Sequence, residues 1–170
     1  SRRRKNAIIT SFHQIDCMET KIRKATLKDI DQLKKVKPSL TDEHIVDRLK
    51  RQGEKLLEYL VLEKNGEIAS FILLKWHGKE SHPEYPDMED LYTREDQRGK
   101  GFAIKLIEEC EKLVKQRGFK KIGLAANPDL NENARRLYEK LGYHHDGGKS
   151  YIDGIYDGVE DWVVDLEKTL

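Results

Sequence analysis

The sequence has few of the features that mark several large classes of protein. Its 170 residues contain only two cysteines, too few for the disulfide framework of a small secreted domain. No apolar run approaches the roughly 20 residues that cross a bilayer as a helix. The 32 Lys and Arg residues are balanced by 31 Asp and Glu residues. No excess of one charge therefore indicates a nucleic acid or a membrane as a partner, and the expected compartment is the cytosol.

The spacings of common metal sites are also missing. The acidic stretch 153–160 lacks the pattern of a calcium loop. The neighbouring histidines His144 and His145 have no further ligands at a zinc spacing. Cys110 falls on the apolar stripe of a helical pattern, where a cysteine usually acts as a small core residue. The sequence therefore predicts no metal site.

The most informative stretch runs from Leu91 to Val114. A short apolar run is followed by a polar turn, by a basic segment with two glycines, and then by apolar residues at helical spacing. This pattern predicts a strand, a tight loop and the N-terminus of a helix. The apolar run and the basic segment are Leu91-Tyr92-Thr93 and Arg98-Gly99-Lys100-Gly101-Phe102-Ala103.

Such a junction favours an anion. The first turn of a helix leaves backbone N–H groups without partners, and the helix dipole adds partial positive charge there. Gly99 and Gly101 have no Cβ, so a phosphate can approach the backbone closely. Arg98 and Lys100 add full positive charges. The stretch therefore predicts binding of a diphosphate or polyphosphate.

Two well-known phosphate motifs do not fit the sequence. A dinucleotide fingerprint requires a third small residue where this chain has Ile104. A Walker A loop would need a glycine at the position of Tyr143, ahead of Gly148-Lys149-Ser150. That second segment also follows a helical pattern rather than a strand. Neither a dinucleotide fold nor a P-loop is therefore expected.

The glycine-bearing stretch resembles the acetyl-CoA loop of the GNAT superfamily of N-acetyltransferases. The family pattern Arg/Gln-x-x-Gly-x-Gly/Ala is matched by Arg98-x-x-Gly101-x-Ala103. The second family signature, Asn-x-x-Ala-x-x-Leu-Tyr-Glu-Lys-Leu-Gly-Phe/Tyr, is matched from Asn131 to Tyr143. Two matches in the expected order carry the resemblance.

The resemblance covers roughly Lys21 to Leu166 and implies an α/β fold in a single GNAT-type domain. The expected sheet is mixed and mostly antiparallel, with about seven strands, a central splayed parallel pair and about four flanking helices. Residues 18–170 are assigned to this domain. Residues 1–17, which begin with a basic cluster, are expected to form a flexible N-terminal extension.

Local patterns add detail to this expectation. Asn65-Gly66 between two apolar runs predicts a β-hairpin. In the tail, residues 143–152 predict a sixth strand and residues 161–166 a seventh. The acidic segment 153–160 between them is either a charged surface hairpin or, as in the family, a loop that overhangs the acceptor site.

The resemblance also implies which residues bind acetyl-CoA, the acyl donor. The pantetheine arm would pair with the strand backbone at residues 91–93, and the amides of residues 99–103 would hold the pyrophosphate. Asn131 matches an asparagine that contacts the cofactor or the neighbouring strand. The cofactor-binding residues expected in this way are Leu91, Tyr92, Thr93, Arg98, Gly99, Lys100, Gly101, Phe102, Ala103, Asn131 and Tyr138.

Catalysis would need a base, because a lysine-like amine of pKa ~10.4 is neutral only about once in a few thousand molecules at pH 7. Several members of the family place a carboxylate on the strand before the loop. By position Asp87 matches it best and Glu89 next, although both acids are equally consistent with a solvated rim. Ala126 stands where some members carry a catalytic glutamate. Tyr138 matches the tyrosine that protonates the departing thiolate.

The predicted function is transfer of the acetyl group of acetyl-CoA to a primary amine by direct attack in a ternary complex. The acceptor would be a small molecule or a peptide, and the family also allows a homodimer. No membrane, metal or nucleic-acid partner is expected. The alternative is a non-catalytic acyl-CoA-binding sensor or interaction module with the same fold.

Overall fold

The computed structural model describes residues 19–129 and 132–170, and the chain divides into two compact units. Of the described residues, the first unit holds 19–73 together with Asp90–Leu106, and the second holds Leu74–Glu89 and those after Leu106. The strands are β1 Thr20–Lys24, β2 Leu57–Lys64, β3 Glu67–Lys75, β4 Asp87–Thr93, β5 Lys121–Ala126, β6 His144–His145, β7 Tyr151–Tyr156 and β8 Val159–Thr169. The α-helices are α1 Ile30–Val36, α2 Asp42–Gly53, α3 Phe102–Gln116 and α4 Glu132–Lys140, and short 3-10 turns cover Leu27–Asp29 and Glu95–Gln97.

The first unit is built on strands in the order β1-β2-β3-β4. β1 and β2 pair antiparallel, from Thr20 opposite Lys64 to Lys24 opposite Leu60. Asn65 and Gly66 both have positive φ, at 52° and 78°, as a type I′ turn requires. The predicted hairpin is therefore confirmed.

Helices α1 and α2 close the core of the first unit. Leu33 of α1 and Ile45 of α2 are fully buried, together with Tyr59 and Phe71 of the sheet. The side chain of Thr41 accepts a hydrogen bond from the backbone N–H of His44 at 3.2 Å, which satisfies one free amide at the start of α2. This cap fixes where α2 begins.

The second unit has the strand order β4-β5-β8-β6, and β7 pairs with β8. β4 and β5 are parallel, with Asp87 opposite Gly123 and Met88 opposite Leu124. β5 and β8 are antiparallel over six residue pairs. The mixed, mostly antiparallel sheet with one parallel pair and four described helices confirms the predicted fold class; the splay of that pair stays a prediction.

The tail differs from its prediction. The expected sixth strand over 143–152 is wrong as a single element, because β6 covers only two residues and β7 begins at Tyr151. Asp146 Oδ1 accepts a hydrogen bond from the amide of Gly148 at 2.7 Å and bends the chain between them. The acidic segment is the tip of a β7–β8 hairpin, closed by Asp157 and Gly158 with φ of 51° and 76°.

Of the helices in the described residues, none is both long and apolar enough to span a bilayer. The longest of these helices, α3, has 15 residues, and its sequence combines apolar with charged residues.

Candidate functional site

The end of β4 leads directly into the predicted anion loop. Arg94 donates its backbone N–H to the carbonyl of Ala69 at 2.8 Å, which anchors the point where the strand ends. The 3-10 turn Glu95–Gln97 follows, and α3 begins at Phe102. The strand, loop and helix expected from the sequence are therefore all present.

The two glycines of this loop leave its backbone open. Gly99 and Gly101 have φ of 77° and 80°, a conformation that favours glycine, and a Cβ built on either would have no atom within 4 Å. An anion can therefore reach the backbone here without displacing a side chain. Such an open helix start, rich in N–H groups, is suited to a phosphate.

The basic side chains of the loop are held close to it. Arg98 donates from Nε to the carbonyl of Thr93 at 3.1 Å, and its guanidinium lies 5.4 Å from the centre of the Tyr92 ring. Lys100 donates to the side chain of Gln97 at 2.9 Å. Positive charge is thus kept within one turn of the two glycines.

Tyr92 also borders a cavity in the first unit. Its volume is about 370 Å³, within the range of small-ligand sites. The other residues lining it are Lys35, Val36, Pro38, Arg94, Glu95 and Asp96. The sequence did not predict this cavity, because its walls combine the end of α1 with the end of β4.

Asp90 bends β4 between its two halves. Its φ is 49°, in the left-handed region that aspartate tolerates better than most residues. Its carboxylate contacts the Lys37 ammonium on one oxygen and Arg48 Nη2 at 2.8 Å on the other. The charge of Asp90 is therefore balanced by two cations, an arrangement that the sequence did not predict.

Asp87 has different surroundings, in the second unit. It is 1% exposed, and neither carboxylate oxygen accepts an aligned hydrogen bond from the described residues. Among the described residues, the cation that pairs with it is Lys79, whose Nζ lies 3.1 Å from Oδ1. Burial, only partly offset by Lys79, raises the pKa of Asp87 to about 6. A poorly solvated carboxylate of this kind is a candidate base.

Gly123 makes room for Asp87. A Cβ at Gly123 would lie 3.3 Å from Asp87 Oδ1 and 2.8 Å from Cε2 of Tyr85. A glycine inside a strand often marks a close approach of this kind. This signal was present in the sequence, and it marks the close packing around Asp87.

Glu89, the second candidate base, is more exposed. Its side chain is 38% accessible and pairs with Lys75 at 3.0 Å. Another acid, Asp153, lies within electrostatic reach of Glu89 in the second unit, and Asp161 lies within reach of Asp153. Burial and the negative charges of Glu89 and Asp161 raise the pKa of Asp153. The structure thus brings the two predicted acids into a region of several carboxylates.

Lys79 also contacts a second buried carboxylate, Asp165 of β8, at 2.8 Å. Ser81 and Tyr151 each donate a hydroxyl hydrogen bond to Asp165 at 2.7 Å. His82 Nε2 lies 3.7 Å from the same carboxylate and 2.6 Å from Asp146. Sequence reasoning did not find this network, because its members are up to 86 residues apart.

His82, Asp146 and Asp165 are close enough together for one cation by distance alone. The oxygens of Asp165 are already used by the ammonium of Lys79 and by two hydroxyl donors. Hydrogen bonding therefore accounts for the cluster, and the expectation of no metal stays a prediction.

Tyr138, the predicted acid, lies on α4 and is partly buried. Its ring meets that of Tyr143 edge-on, with centroids 6.5 Å apart. Burial raises the pKa of Tyr138, which keeps its hydroxyl protonated at neutral pH. Asn131 lies outside the described residues, and so does the basic N-terminal segment.

Comparison with known proteins agrees with this architecture. Residues 25–143 match the model of the Acetyltransferase (GNAT) family. An acetyltransferase from Yersinia pestis (strain Pestoides F) is 34% identical over 85 residues, which are 50% of this chain and 56% of that protein. The chain thus spans about half the length of the curated relatives that it matches.

Solved structures share the fold. PaiA N-acetyltransferase from Thermoplasma acidophilum, in complex with coenzyme A, aligns with a TM-score of 0.65 and 18% identity over 90% of this chain and 100% of that one. A putative acetyltransferase from Salmonella typhimurium, with its cofactor acetyl-CoA, aligns with a TM-score of 0.71 and 15% identity over 89% and 94%. The chain belongs to the GNAT family of acetyltransferases.

Proposed function

We propose that this protein transfers the acetyl group of acetyl-CoA to a primary amine. The observation that carries the proposal is the open backbone at Gly99 and Gly101, which lies at the start of α3 and has Arg98 and Lys100 beside it. This arrangement suits the pyrophosphate of coenzyme A. Relatives solved with coenzyme A and with acetyl-CoA support the same ligand.

The chain supplies candidates for each role in the transfer. Asp87 would accept the proton of the attacking amine; because it is 1% exposed, the proton would arrive through a water molecule. Backbone N–H groups in the Leu91–Tyr92 region would stabilise the oxyanion. Bond formation between amine nitrogen and carbonyl carbon is followed by cleavage of the C–S bond.

Tyr138 would give its proton to the departing sulfur. A phenol of pKa ~10 that protonates a thiolate of pKa ~8.5 does so about 2 kcal/mol uphill. Burial raises the pKa of Tyr138 further, so the collapse of the intermediate must drive this step. A Tyr138→Phe variant that kept full turnover with saturating substrates would remove this assignment.

The acceptor is proposed to be a cationic amine, on a small molecule or a peptide, in the cytosol. In the second unit, Asp153 is repelled by the negative charges of both Glu89 and Asp161. A positively charged acceptor would relieve that repulsion, and it would then need to lose a proton before attack. The relatives named above do not define this acceptor.

The test of the proposal is calorimetric titration of the full chain with acetyl-CoA, beside a Gly101→Glu variant. The parent is expected to bind with a Kd in the micromolar range. The variant is expected to lose binding, because a carboxylate would repel the pyrophosphate and fill the space that it needs.

Gly66→Glu is the matched control for this test. Gly66 has φ of 78°, close to the 80° of Gly101, and a Cβ at either position meets no atom within 4 Å. Both substitutions therefore add the same charge and a similar backbone strain, and Gly66→Glu is expected to bind like the parent. Absence of binding by the parent would overturn the proposal, while binding without any acetyl transfer would favour an acyl-CoA sensor.

A further inference from the structure

Lys79 stands between two buried carboxylates of the second unit. Its Nζ lies 3.1 Å from Asp87 Oδ1 and 2.8 Å from Asp165 Oδ1, and its side chain is 10% exposed. Asp87 has no aligned hydrogen bond in the described residues, whereas Asp165 has two hydroxyl donors. The lysine is thus the main source of positive charge for Asp87.

The loop that carries Lys79 is tightly built. Gly78 has φ of 71°, and a Cβ there would lie only 2.3 Å from the carbonyl oxygen of His82 and 2.4 Å from that of Tyr85. The amide of His82 donates to the carbonyl of Lys79 at 3.0 Å. The loop therefore holds the lysine backbone in one place.

Asp165 fixes the other end of the lysine. Besides Lys79, the side chains of Ser81, Tyr151 and His82 approach the Asp165 carboxylate. His82 is in turn held by Asp146. Burial alone would raise the pKa of Asp165, but the close ammonium of Lys79 and the hydroxyl hydrogen bonds from Tyr151 and Ser81 outweigh it and hold that pKa below its usual range. Asp165 therefore stays negative at neutral pH and keeps the ammonium in position.

We propose that Lys79, held by Asp165, is a positioning residue that keeps Asp87 ionised and oriented for proton transfer. This inference rests on the role proposed for Asp87 as the base. Asp87 is too buried to remain negative without a nearby cation. Asp165 competes for the same cation, so the two carboxylates divide one positive charge.

Other charged groups act on Asp87 as well. Glu89 on the same strand raises the pKa of Asp87, and Lys75 of β3 lowers it. On β5, Gly123 lies beside it. The ionisable groups farther out are Tyr85, His82, Asp146, Asp153 and Glu167, of the adjoining loops and of β7 and β8. Each of these is unchanged in the variants below, so differences between variants report Lys79 and Asp165.

The experiment is a pH titration of the full chain labelled with ¹³C at the aspartate carboxyl carbons, followed by NMR. The Asp87 signal is identified as the one missing in Asp87→Asn. The parent is expected to titrate near pH 6. Lys79→Met is expected to raise that midpoint by about one to three pH units, the usual effect of losing an opposite charge at this distance. Asp165→Asn is expected to lower it, because a negative charge is lost and the ammonium is freed.

Opposite shifts distinguish charge sharing from mere support of the fold. Both substitutions break the same Lys79–Asp165 ion pair, so a purely structural role predicts changes in the same direction or none. Lys79→Arg keeps the charge and is expected to restore a midpoint near that of the parent. If Lys79→Met does not fold, Asp165→Asn alone decides, and an unchanged or raised midpoint overturns the proposal.

Activity gives a second readout once an acceptor is found by screening amines for CoA-thiol release. The ratio of variant to parent kcat/KM at each pH cancels the ionisation of the acceptor. For Lys79→Met this ratio is expected to be low at pH 7 and to recover towards pH 9. Full activity of Asp87→Asn would remove Asp87 as the base, whereas an inactive Asp87→Asn with an unshifted Lys79→Met titration would overturn only the role of Lys79.

Discussion

Asp87 and Asp90 lie three residues apart on β4, in different units, and they differ in how their charge is neutralised. Asp90 has one cation on each carboxylate oxygen, Lys37 and Arg48, and it also bends the strand. Asp87 is more deeply buried, accepts no aligned hydrogen bond in the described residues, and shares Lys79 with another acid.

The difference indicates two roles. A carboxylate that contacts one cation on each oxygen links the segments that carry those cations, so Asp90 is suited to hold structure. A buried carboxylate that shares a single cation with another acid binds a proton near neutral pH, so Asp87 is suited to exchange a proton. The comparison therefore predicts opposite results when each residue is replaced by asparagine.

The largest expected effect is on turnover. Asp87→Asn is expected to lower kcat by about 10²- to 10⁴-fold, the usual contribution of a general base. Asp90→Asn is expected to lower kcat far less. Steady-state release of the CoA thiol with an accepted amine measures both, and equal losses in the two variants would contradict the distinction.

The second-largest expected effect is on the free energy of unfolding, which Asp87→Asn is expected to raise rather than lower. The pKa of Asp87 is about 6 when folded and about 3.9 when unfolded. The protonated Asp87 carboxyl stabilises the folded state fully below about pH 4, and this stabilisation is lost as pH rises through 6. The free energy of unfolding falls by about 3 kcal/mol over that range because of this group. Asp87→Asn is thus expected to raise the free energy of unfolding at pH 7.5 by up to that amount.

Urea unfolding at pH 4 and at pH 7.5 measures this difference. The gain is expected to fall to about 0.5 kcal/mol at pH 4, because the carboxyl is then protonated in the folded state and about half protonated in the unfolded state. Destabilisation by Asp87→Asn at pH 7.5 would show that the buried carboxylate is held by interactions stronger than its ion pair with Lys79.

Asp90→Asn is expected to act in the opposite direction. Loss of its charge leaves Lys37 and Arg48 without their shared partner, which costs about 1.5–3 kcal/mol of unfolding free energy. Urea unfolding measures the cost, and a double mutant with Lys37→Met is expected to lose less than the sum of the single changes. Strict additivity would refute the coupling.

The smallest effect concerns the space around Asp87. Gly123→Ala places a methyl group 3.3 Å from Asp87 Oδ1 and 2.8 Å from Tyr85. The crowding is expected to cost about 1 kcal/mol of stability and to shift the Asp87 titration. Gly53→Ala, where the added methyl meets no atom within 4 Å, is the control and is expected to leave that titration unchanged.

The sequence predicted the features that depend on local chemistry. Asn65-Gly66 predicted its hairpin, and the glycines around residue 100 predicted the junction of β4 and α3. Turn and helix-start signals depend on residues that are adjacent in sequence, so they can be recognised without knowledge of the fold. Asp157-Gly158 is a signal of the same kind, and it favours the surface hairpin that was one of the two interpretations of segment 153–160 and that the structure shows.

The surroundings of Asp87 could not be predicted in this way. Lys79 and Asp165 are 86 positions apart in sequence, and their contact depends on a loop before β4 and on the register of β8. The bend at Asp90 was also missed, because a positive φ breaks the two-residue alternation without changing composition. Long-range ion pairs and isolated backbone bends require the folded chain.

The proposed activity of this chain is transfer of an acetyl group from acetyl-CoA to an amine. The most direct test incubates the full chain with acetyl-CoA and a panel of polyamines, aminoglycosides, amino acids and peptides, and measures the CoA thiol and the product mass together. We expect at least one cationic amine to gain an acetyl group in a one-to-one ratio with released thiol. We also expect Asp87→Asn to lose that activity. Tight binding of acetyl-CoA with no acetylated amine in any reaction would contradict it.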